Sequence, residues 1–229
     1  MIHYWQTSSA IRDVVYIPKY YNPALSAKQS VLVNTHHCQT IGAMVESGLL
    51  SVETGHEIGK AAYGTGDIPF VRTSDIANWE IKSTPKQGVS RDIYEAYALN
   101  QDVQVGGILF VRDGTYLIGN NCFITAIDKE ILYQSHVLKL RVHIKETISP
   151  SLLFLAMNNP WVQQQIRSVQ FTADIIDTVG ERFFEVVLPI PKSFELRKAI
   201  SDAVRGVVQS RVQARETITK LSREIAPDS

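Results

Sequence analysis

The chain has 229 residues, of which 45% are hydrophobic and 20% are charged, and its 23 basic and 23 acidic side chains leave no formal net charge. This composition is that of a globular protein with a proper core, built as one large domain or two small ones. It gives no support to a protein that coats nucleic acid through overall positive charge, although a local basic patch is enough for DNA binding.

The cysteines and the apolar runs argue against two further classes of protein. Cys38 and Cys122 have no metal-ligand spacing and indicate a reduced cytoplasm rather than a disulfide framework. Residues 1–16 have no continuous apolar core, so no signal peptide is expected. No run approaches the roughly 20 apolar residues of a membrane span. We therefore expect a soluble cytoplasmic protein without a membrane partner.

The N-terminal part, residues 1–39, is the least regular and is predicted to be an arm or lead-in segment. A strand is possible over residues 11–17, and residues 24–34 fit either a short helix or an extended arm. The His-His-Cys run at 36–38 is predicted to be a loop rather than a metal site. Adjacent residues rarely ligate one ion, and no second cluster supplies partners.

Residues 40–55 have the signals of a short helix followed by a strand. Thr40 is a candidate cap for a helix that ends near Gly48. A strand is predicted over residues 49–55, and the polar, glycine-bearing residues 56–64 are predicted to form a surface loop.

Two stretches, residues 66–76 and 106–120, have the same layout. Each opens on glycine, runs through a short apolar segment, and then places an arginine, Arg72 or Arg112, beside Thr and Asp. Apolar runs this short, bounded by Gly and Pro, predict strands that end in loops. A strand that ends in such residues presents donors and acceptors on a rigid platform, as a surface that binds nucleic acid does.

The segments around the second platform predict a helix and further strands. Ser90 is a candidate cap for a short helix through Leu99. Strands are predicted over residues 121–127 and 132–142. The second of these alternates apolar and polar side chains, which is typical of a strand with one exposed face.

The order of these motifs is similar to that of a known family. Residues 68–76, 106–120 and the Gln-Ser-His-Val run at 134–137 resemble the target-recognition domain of Type I restriction-modification specificity (S) subunits. Related domains lie at the C-terminal end of some fused N6-adenine DNA methyltransferases. The resemblance covers roughly residue 40 to the C-terminus. It departs at Gly107, where the family usually has Asp.

The C-terminal third contains more helix. A Ser149-Pro150 start predicts a buried helix, a second helix is predicted over residues 161–169, and a strand over 183–189. Strands interspersed with short helices favour an α+β class with a mixed or antiparallel sheet, rather than a doubly wound fold.

Residues 194–225 contain no proline and predict one long helix of coiled-coil type. At 1.5 Å per residue it would span about 48 Å, longer than a globular helix needs. Apolar residues recur at heptad-like spacing, which indicates a partner helix. The predicted dimerisation residues are Leu196, Ile200, Val207, Ile218, Leu221 and Ile225.

No catalytic motif is found. The chain lacks the Asp/Asn-Pro-Pro-Tyr/Phe motif of adenine methyltransferases, a glycine-rich cofactor loop, a Walker motif and a His-Glu-x-x-His zinc motif. We therefore expect a protein without catalytic residues, metal or cofactor.

Binding residues are better supported, because arginine is the commonest side chain to contact guanine. For Arg72 and Arg112 the alternative is a local salt bridge with Asp75 and Asp113, and Tyr116 is equally compatible with packing. The predicted DNA contacts are Arg72, Thr73, Ser74, Asn78, Lys82, Lys86, Arg91, Arg112, Thr115, Tyr116, Asn120, Lys139 and Arg141.

The sequence thus predicts three parts: a lead-in (residues 1–39), a DNA target-recognition domain (40–189) and a spacer or dimerisation helix (190–229). The resemblance implies a specificity protein that directs methyltransferase, and possibly restriction, subunits to double-stranded DNA. The family usually has two recognition domains and two helices. A chain with one of each is predicted to be a half that pairs, as a homodimer or with a second recognition half, or a fragment. The alternative is an assembly protein that has lost DNA recognition.

Overall fold

The computed structural model of the chain describes residues 4–12, 15–114, 116–173 and 176–225. The helices are α1 (Pro23–Leu32), α2 (Ile41–Glu46), α3 (Arg91–Gln101), α4 (Pro150–Met157), α5 (Pro160–Ser168) and α6 (Phe194–Ile225). The strands are β1 (His36–Thr40), β2 (Leu50–Thr54), β3 (Ile68–Val71), β4 (Ile76–Ala77), β5 (Glu80–Ile81), β6 (Gly88–Val89), β7 (Ile108–Val111), β8 (Asn121–Phe123), β9 (Leu132–Tyr133), β10 (Val137–Val142), β11 (Phe171–Ala173), β12 (Ile176–Thr178) and β13 (Val187–Pro191). The predicted α+β class is confirmed.

The centre of the molecule is a four-stranded antiparallel sheet in the order β2-β10-β7-β8. Its alternating side chains enter two different cores. Phe110 and Leu140 pack on one face, where α4, α5 and Phe183 cover the sheet. Leu109 and Val137 pack on the other face. Because both faces are covered, β10 is buried along almost its whole length, and the expected exposed face is absent.

A second, three-stranded sheet in the order β6-β3-β9 lies over that second core. The pairing of β3 with β9 is parallel, with Val71 opposite Tyr133. Both residues are fully buried and pack with Ile76 against the central sheet. The first platform strand is therefore anchored by residues some 60 positions later in the chain, as the register of β3 and β9 requires.

The helix starts follow local capping chemistry. The hydroxyls of Thr40 and Ser149 accept hydrogen bonds from Ala43 N and Leu152 N, both at 3.1 Å, so both predicted caps are confirmed. Ser90 precedes α3 but makes no side-chain cap bond. α1 confirms the helical reading of residues 24–34.

Two predicted elements are wrong. Residues 36–38 are part of strand β1, which pairs antiparallel with β13 from His36–Pro191 to Thr40–Val187. A loop was expected because the partner strand lies 150 residues away. The strand predicted over residues 183–189 starts later, since residues 180–185 form a 3-10 helix. The predicted boundaries at 39/40 and 189/190 fall inside β1 and β13, and the domain division stays a prediction.

The long helix α6 covers 32 residues, as predicted, and lies with one side against the rest of the molecule. Ile200 and Val204 pack against the main core on that side. The other predicted seam residues are mostly exposed, with Val207 at 57% and Ile218 at 65%. At about 100° per residue the exposed stripe is centred roughly a quarter turn from the docked side. Among the described residues, no helix is long and apolar enough to span a membrane.

Candidate nucleic-acid interface

The two platform strands end at the same edge of the molecule. Gln134 N donates a hydrogen bond to Val71 O (2.9 Å), and Arg112 N donates one to His136 O (3.0 Å). Arg72 and Arg112 therefore flank, from two sides, the short segment that connects β9 to β10. We call the surface formed by Arg72, Arg112, Tyr116 and segment 134–136 the recognition edge.

Arg112 forms a local ion pair that leaves part of its guanidinium group available for hydrogen bonds to a ligand. Its Nε donates to Asp113 Oδ2 at 3.1 Å, and the side chain is 30% exposed. A bond through Nε leaves the two terminal NH2 groups, which can contact guanine O6 and N7 together. The local salt bridge with Asp113 is thus formed. It is compatible with base reading, because it fixes the direction in which the two terminal NH2 groups of Arg112 point.

The side chain of Arg72 is farther from its carboxylate partner than that of Arg112. Its Nε lies 3.7 Å from Asp75 Oδ2 and has no hydrogen-bond partner in the described part of the chain. Asp75 is only 2% exposed and accepts a bond from the backbone N of Arg72 at 3.0 Å. The carboxylate therefore closes the turn after β3, while the arginine side chain keeps its terminal donors.

The loop after β7 adds exposed polar and aromatic groups. Tyr116 is 94% exposed, so the packing alternative for this residue receives no support. Asn120 is exposed and its Nδ2 lies 3.5 Å from Ile76 O, which places this loop beside the first platform. Ser74 is exposed and Thr73 is half-buried in the first platform turn. The predicted contact Thr115 lies outside the described residues.

Lys82 and Lys86 are exposed beside the first platform. Lys82 N donates to Asp75 O (2.9 Å), and the carbonyl of Gln87, which follows Lys86, accepts a bond from Phe70 N of β3 (3.0 Å). In the described residues neither lysine has an ion pair, so both charges can meet a phosphate.

Arg91 and Asn78 have internal partners as well. Arg91 Nη1 lies 2.5 Å from Glu130 Oε1, and its guanidinium lies 5.3 Å from the ring centroid of Tyr94. Asn78 has a left-handed backbone (φ 52°), and its carbonyl accepts a bond from Arg211 Nη2 of α6 at 2.8 Å. The side chains of Arg91 and Asn78 are exposed.

Lys139 does not fit a phosphate contact. It is fully buried; its Nζ lies 2.7 Å from Glu53 Oε2 and also donates to the backbone carbonyls of Gln101 and Asp102. It therefore binds the last carbonyl groups of α3 from the protein interior. A side chain in this position cannot reach DNA, so the predicted DNA contact of Lys139 is wrong. The sequence alternation was misleading because the second core and its three-stranded sheet cover the face that was expected to be exposed, and the C-terminus of α3 lies over Lys139.

Arg141 supports the same corner. It donates to Asp102 Oδ2 and to Asp102 O, both at 2.6 Å, and is 23% exposed. Hydrogen bonds from Arg141 and then Gln104 hold the pKa of the Asp102 carboxyl below its usual value. Asp102 itself has a left-handed backbone (φ 40°) that ends α3. These contacts give Arg141 a structural role away from the recognition edge.

The interior role of Lys139 gives a stability prediction. We expect Lys139→Ala to lower the free energy of unfolding by about 2–4 kcal/mol, through a cavity and the loss of the side-chain donor to the Gln101 carbonyl, whereas the Asp102 carbonyl still accepts from Arg141. Lys139→Met keeps the volume and should lose only about 1–2 kcal/mol, because the Glu53 carboxylate reaches water. Denaturant unfolding measures both. An alanine variant as stable as the parent but weaker in DNA binding would restore the phosphate role.

The helix α6 is fixed to β5 and to the segment after β8 by ion pairs. Arg211 Nε lies 2.8 Å from Glu80 Oε1, and Arg215 Nη1 lies 3.4 Å from Asp128 Oδ1. The bond from Arg211 is the main cause that lowers the pKa of the Glu80 carboxyl below its usual value, although burial acts in the opposite direction. Two of the basic residues of α6 are therefore used in docking.

The described residues contain no group of three or more His, Cys, Asp or Glu side chains placed to hold a metal ion. The buried carboxylates Asp75 and Asp113 are each used by local donors. What the recognition edge presents is a set of hydrogen-bonding groups on rigid strands, which is the chemistry of binding.

No protein-family model and no curated protein matches this sequence. Several solved structures share its fold. The S subunit of a Type I restriction-modification system from M. genitalium aligns with a TM-score of 0.56 and 14% identity, over 82% of this chain and 42% of that chain. The type IIG restriction endonuclease BpuSI aligns with a TM-score of 0.54 and 9% identity, over 82% of this chain and 28% of that one.

These comparisons define the class of fold. The chain has the fold of a Type I specificity subunit, and it spans less than half of the length of the M. genitalium subunit. It contains mixed α and β elements followed by one long C-terminal helix, as the sequence predicts.

Some candidate residues were not found from the sequence. His136 lies at the centre of the recognition edge and bonds to Asp113, although only its motif was noticed. The hairpin of β11 and β12 borders the edge, because Gly114 N donates to Asp177 O and Thr178 Oγ1 donates to Asp113 Oδ1. No local signal links these segments, since 65 residues separate Asp113 from Thr178.

Proposed function

We propose that this protein is a DNA-specificity component of a restriction-modification system, and that it performs no chemistry of its own. It would recognise double-stranded DNA through the recognition edge and direct a partner methyltransferase subunit, and possibly a restriction subunit, to that site. The observation that supports this best is the convergence of Arg72 and Arg112 on either side of segment 134–136. Both guanidinium groups keep terminal donors on rigid strand ends.

The shared fold supports the proposal at the level of architecture, and a fold by itself does not determine function. The rival is an assembly protein that uses α6 and has lost DNA recognition. It is favoured by the zero net charge and by the Asp partner of each arginine. Salt-dependent DNA retention distinguishes the two, because phosphate contacts release counterions.

Lys82 and Lys86 provide the test of phosphate binding. The affinity of the parent for duplex DNA should fall steeply as salt rises. Lys82→Ala with Lys86→Ala should weaken binding to all sequences alike and reduce the salt slope by roughly 2, because each phosphate contact contributes about 0.9. Fluorescence anisotropy over a salt series measures the slope.

Lys145→Ala is the matched control. This exposed lysine follows the far end of β10, so it lies away from the edge that Val137 adjoins. We expect its removal to leave the slope unchanged. A parent protein that does not retain duplex DNA at low salt, alone or with a methyltransferase subunit, would favour the assembly protein.

A further inference from the structure

His136 occupies the middle of the recognition edge and is held by two hydrogen bonds. Its carbonyl accepts from Arg112 N (3.0 Å), and its Nδ1 lies 2.8 Å from Asp113 Oδ2. The imidazole is 38% exposed, and its Nε2 has no partner in the described part of the chain. The ring is therefore fixed at one nitrogen and open at the other.

The carboxylate that holds this ring is itself well positioned. Asp113 is 7% exposed, and Arg112 Nε (3.1 Å) and Thr178 Oγ1 (2.5 Å) also donate to it. Its backbone forms a bridge with Thr178. Three donors from three parts of the chain thus fix the two oxygens, so the direction of the bond to His136 is set by the fold.

An ionised carboxylate only accepts hydrogen bonds, so the proton of the neutral imidazole must lie on Nδ1. Nε2 is then an acceptor that points away from Asp113. The neighbouring arginines can only donate. The recognition edge consequently adds to the arginine donors an imidazole acceptor whose direction the fold fixes, and that combination can distinguish bases that arginine alone cannot.

We propose that His136 is a specificity-determining residue that accepts a hydrogen bond from a major-groove amino group, adenine N6 or cytosine N4, and that Asp113 is its positioning residue. This inference rests on the proposed function. Adenine and cytosine are the bases that present an amino donor in the major groove, whereas guanine and thymine present acceptors there. The edge would then read guanine through an arginine and an amino-bearing base through His136.

The first experiment needs no DNA. Nitrogen-15 NMR of the histidine side chains reports which ring nitrogen carries the proton. We expect His136 in the parent to be protonated on Nδ1, and the Asp113→Asn variant to show a mixture, because an amide can accept or donate. Thr178→Val is the matched control: it removes a bond to Asp113, keeps the shape, and should leave the tautomer unchanged. A parent with the proton on Nε2 alone overturns the inference.

The second experiment selects bound sequences from a duplex pool with a randomised central segment. The parent should show adenine or cytosine at one position, and His136→Phe should reduce that preference by roughly 5- to 100-fold while other positions stay as they were. His136→Arg replaces the acceptor with donors and should shift the same position toward guanine. A merely structural histidine would lower all affinities without changing one position.

The outcomes separate the two proposals. A parent that enriches a sequence, with His136→Phe and His136→Arg enriching the same one, overturns the role of His136 and leaves the proposed function standing. A parent that enriches no sequence, with or without a methyltransferase subunit, removes the proposed function and this inference with it. Guanine or thymine at the His136-dependent position also overturns the inference, because it requires a donor on Nε2.

Discussion

Replacing Arg72 and Arg112 together with alanine is expected to remove most of the sequence preference while weak, salt-sensitive binding to all DNA remains. Each lost bidentate contact should cost about 1–3 kcal/mol at the preferred site. The reason is geometric: both guanidinium groups keep their terminal donors, and the strand ends hold them on either side of segment 134–136. Competition between the preferred and a scrambled duplex at constant salt measures the loss.

Lysine variants separate base reading from charge. Arg72→Lys and Arg112→Lys keep the positive charge and lose the planar fork, so they should lose preference almost as alanine does and keep general affinity. Arg91→Ala should weaken all sequences alike, since its predicted contact is to phosphate. If the double alanine variant of Arg72 and Arg112 binds every sequence as the parent does, the arginines do not read bases and the local ion pairs are their role.

The second large effect concerns assembly through α6. We propose that the exposed apolar stripe pairs with another such helix, either in a homodimer or with a second recognition half. Ile218→Asp with Leu221→Asp should convert the assembled parent to a monomer, because two carboxylates cannot be buried in a helix seam without a large penalty. These side chains are 65% and 50% exposed, so the fold itself should survive. Light scattering measures the change.

The choice of residues follows from the structure. Ile200 belongs to the predicted seam but packs against the core of its own chain. An aspartate there could unfold the protein, and that effect could not be told apart from dissociation of the pair. Gln209→Asp is the matched control, because Gln209 is exposed and lies on the side of α6 opposite the stripe. A parent that is monomeric at tens of micromolar without a partner subunit would exclude the homodimer, and pairing with a second recognition half would remain.

An antiparallel pair would have a consequence for the DNA site. A two-fold axis would place one recognition unit at each end, so a split, inverted-repeat sequence would be read. With 32 residues at about 1.5 Å each, the helix would be about 48 Å long and would set the gap between the half-sites.

The features that the sequence predicted well are those with local causes. The Thr40 and Ser149 hydroxyls cap the helices that follow them. The positions of Arg72 and Arg112 at strand ends follow equally from short apolar runs between Gly and polar residues. These signals lie within a few residues of the feature that they predict.

The failures have non-local causes. Alternation in β10 shows that its two faces differ, but the second core and its three-stranded sheet cover the face that carries Lys139, and only tertiary packing decides that. Residues 36–38 form a strand because β13 pairs with them. The Asp113–His136 bond depends on the antiparallel pairing of β7 with β10, and the approach of the first platform to segment 134–136 depends on the parallel pairing of β3 with β9. Such long-range pairing leaves no periodic trace in either segment.

The ladder between β1 and β13 has a consequence for how this unit can be exchanged. His36 and Pro191 are opposite each other in the antiparallel register, so the chain enters and leaves the intervening 36–191 unit at neighbouring points, about 5 Å apart. A unit whose ends adjoin can be grafted into a host at a single surface position without separating the flanking segments. Replacing residues 36–191 as one cassette would therefore exchange the recognition edge together with the surface on which α6 docks, while the chain still enters and leaves the unit at adjoining points.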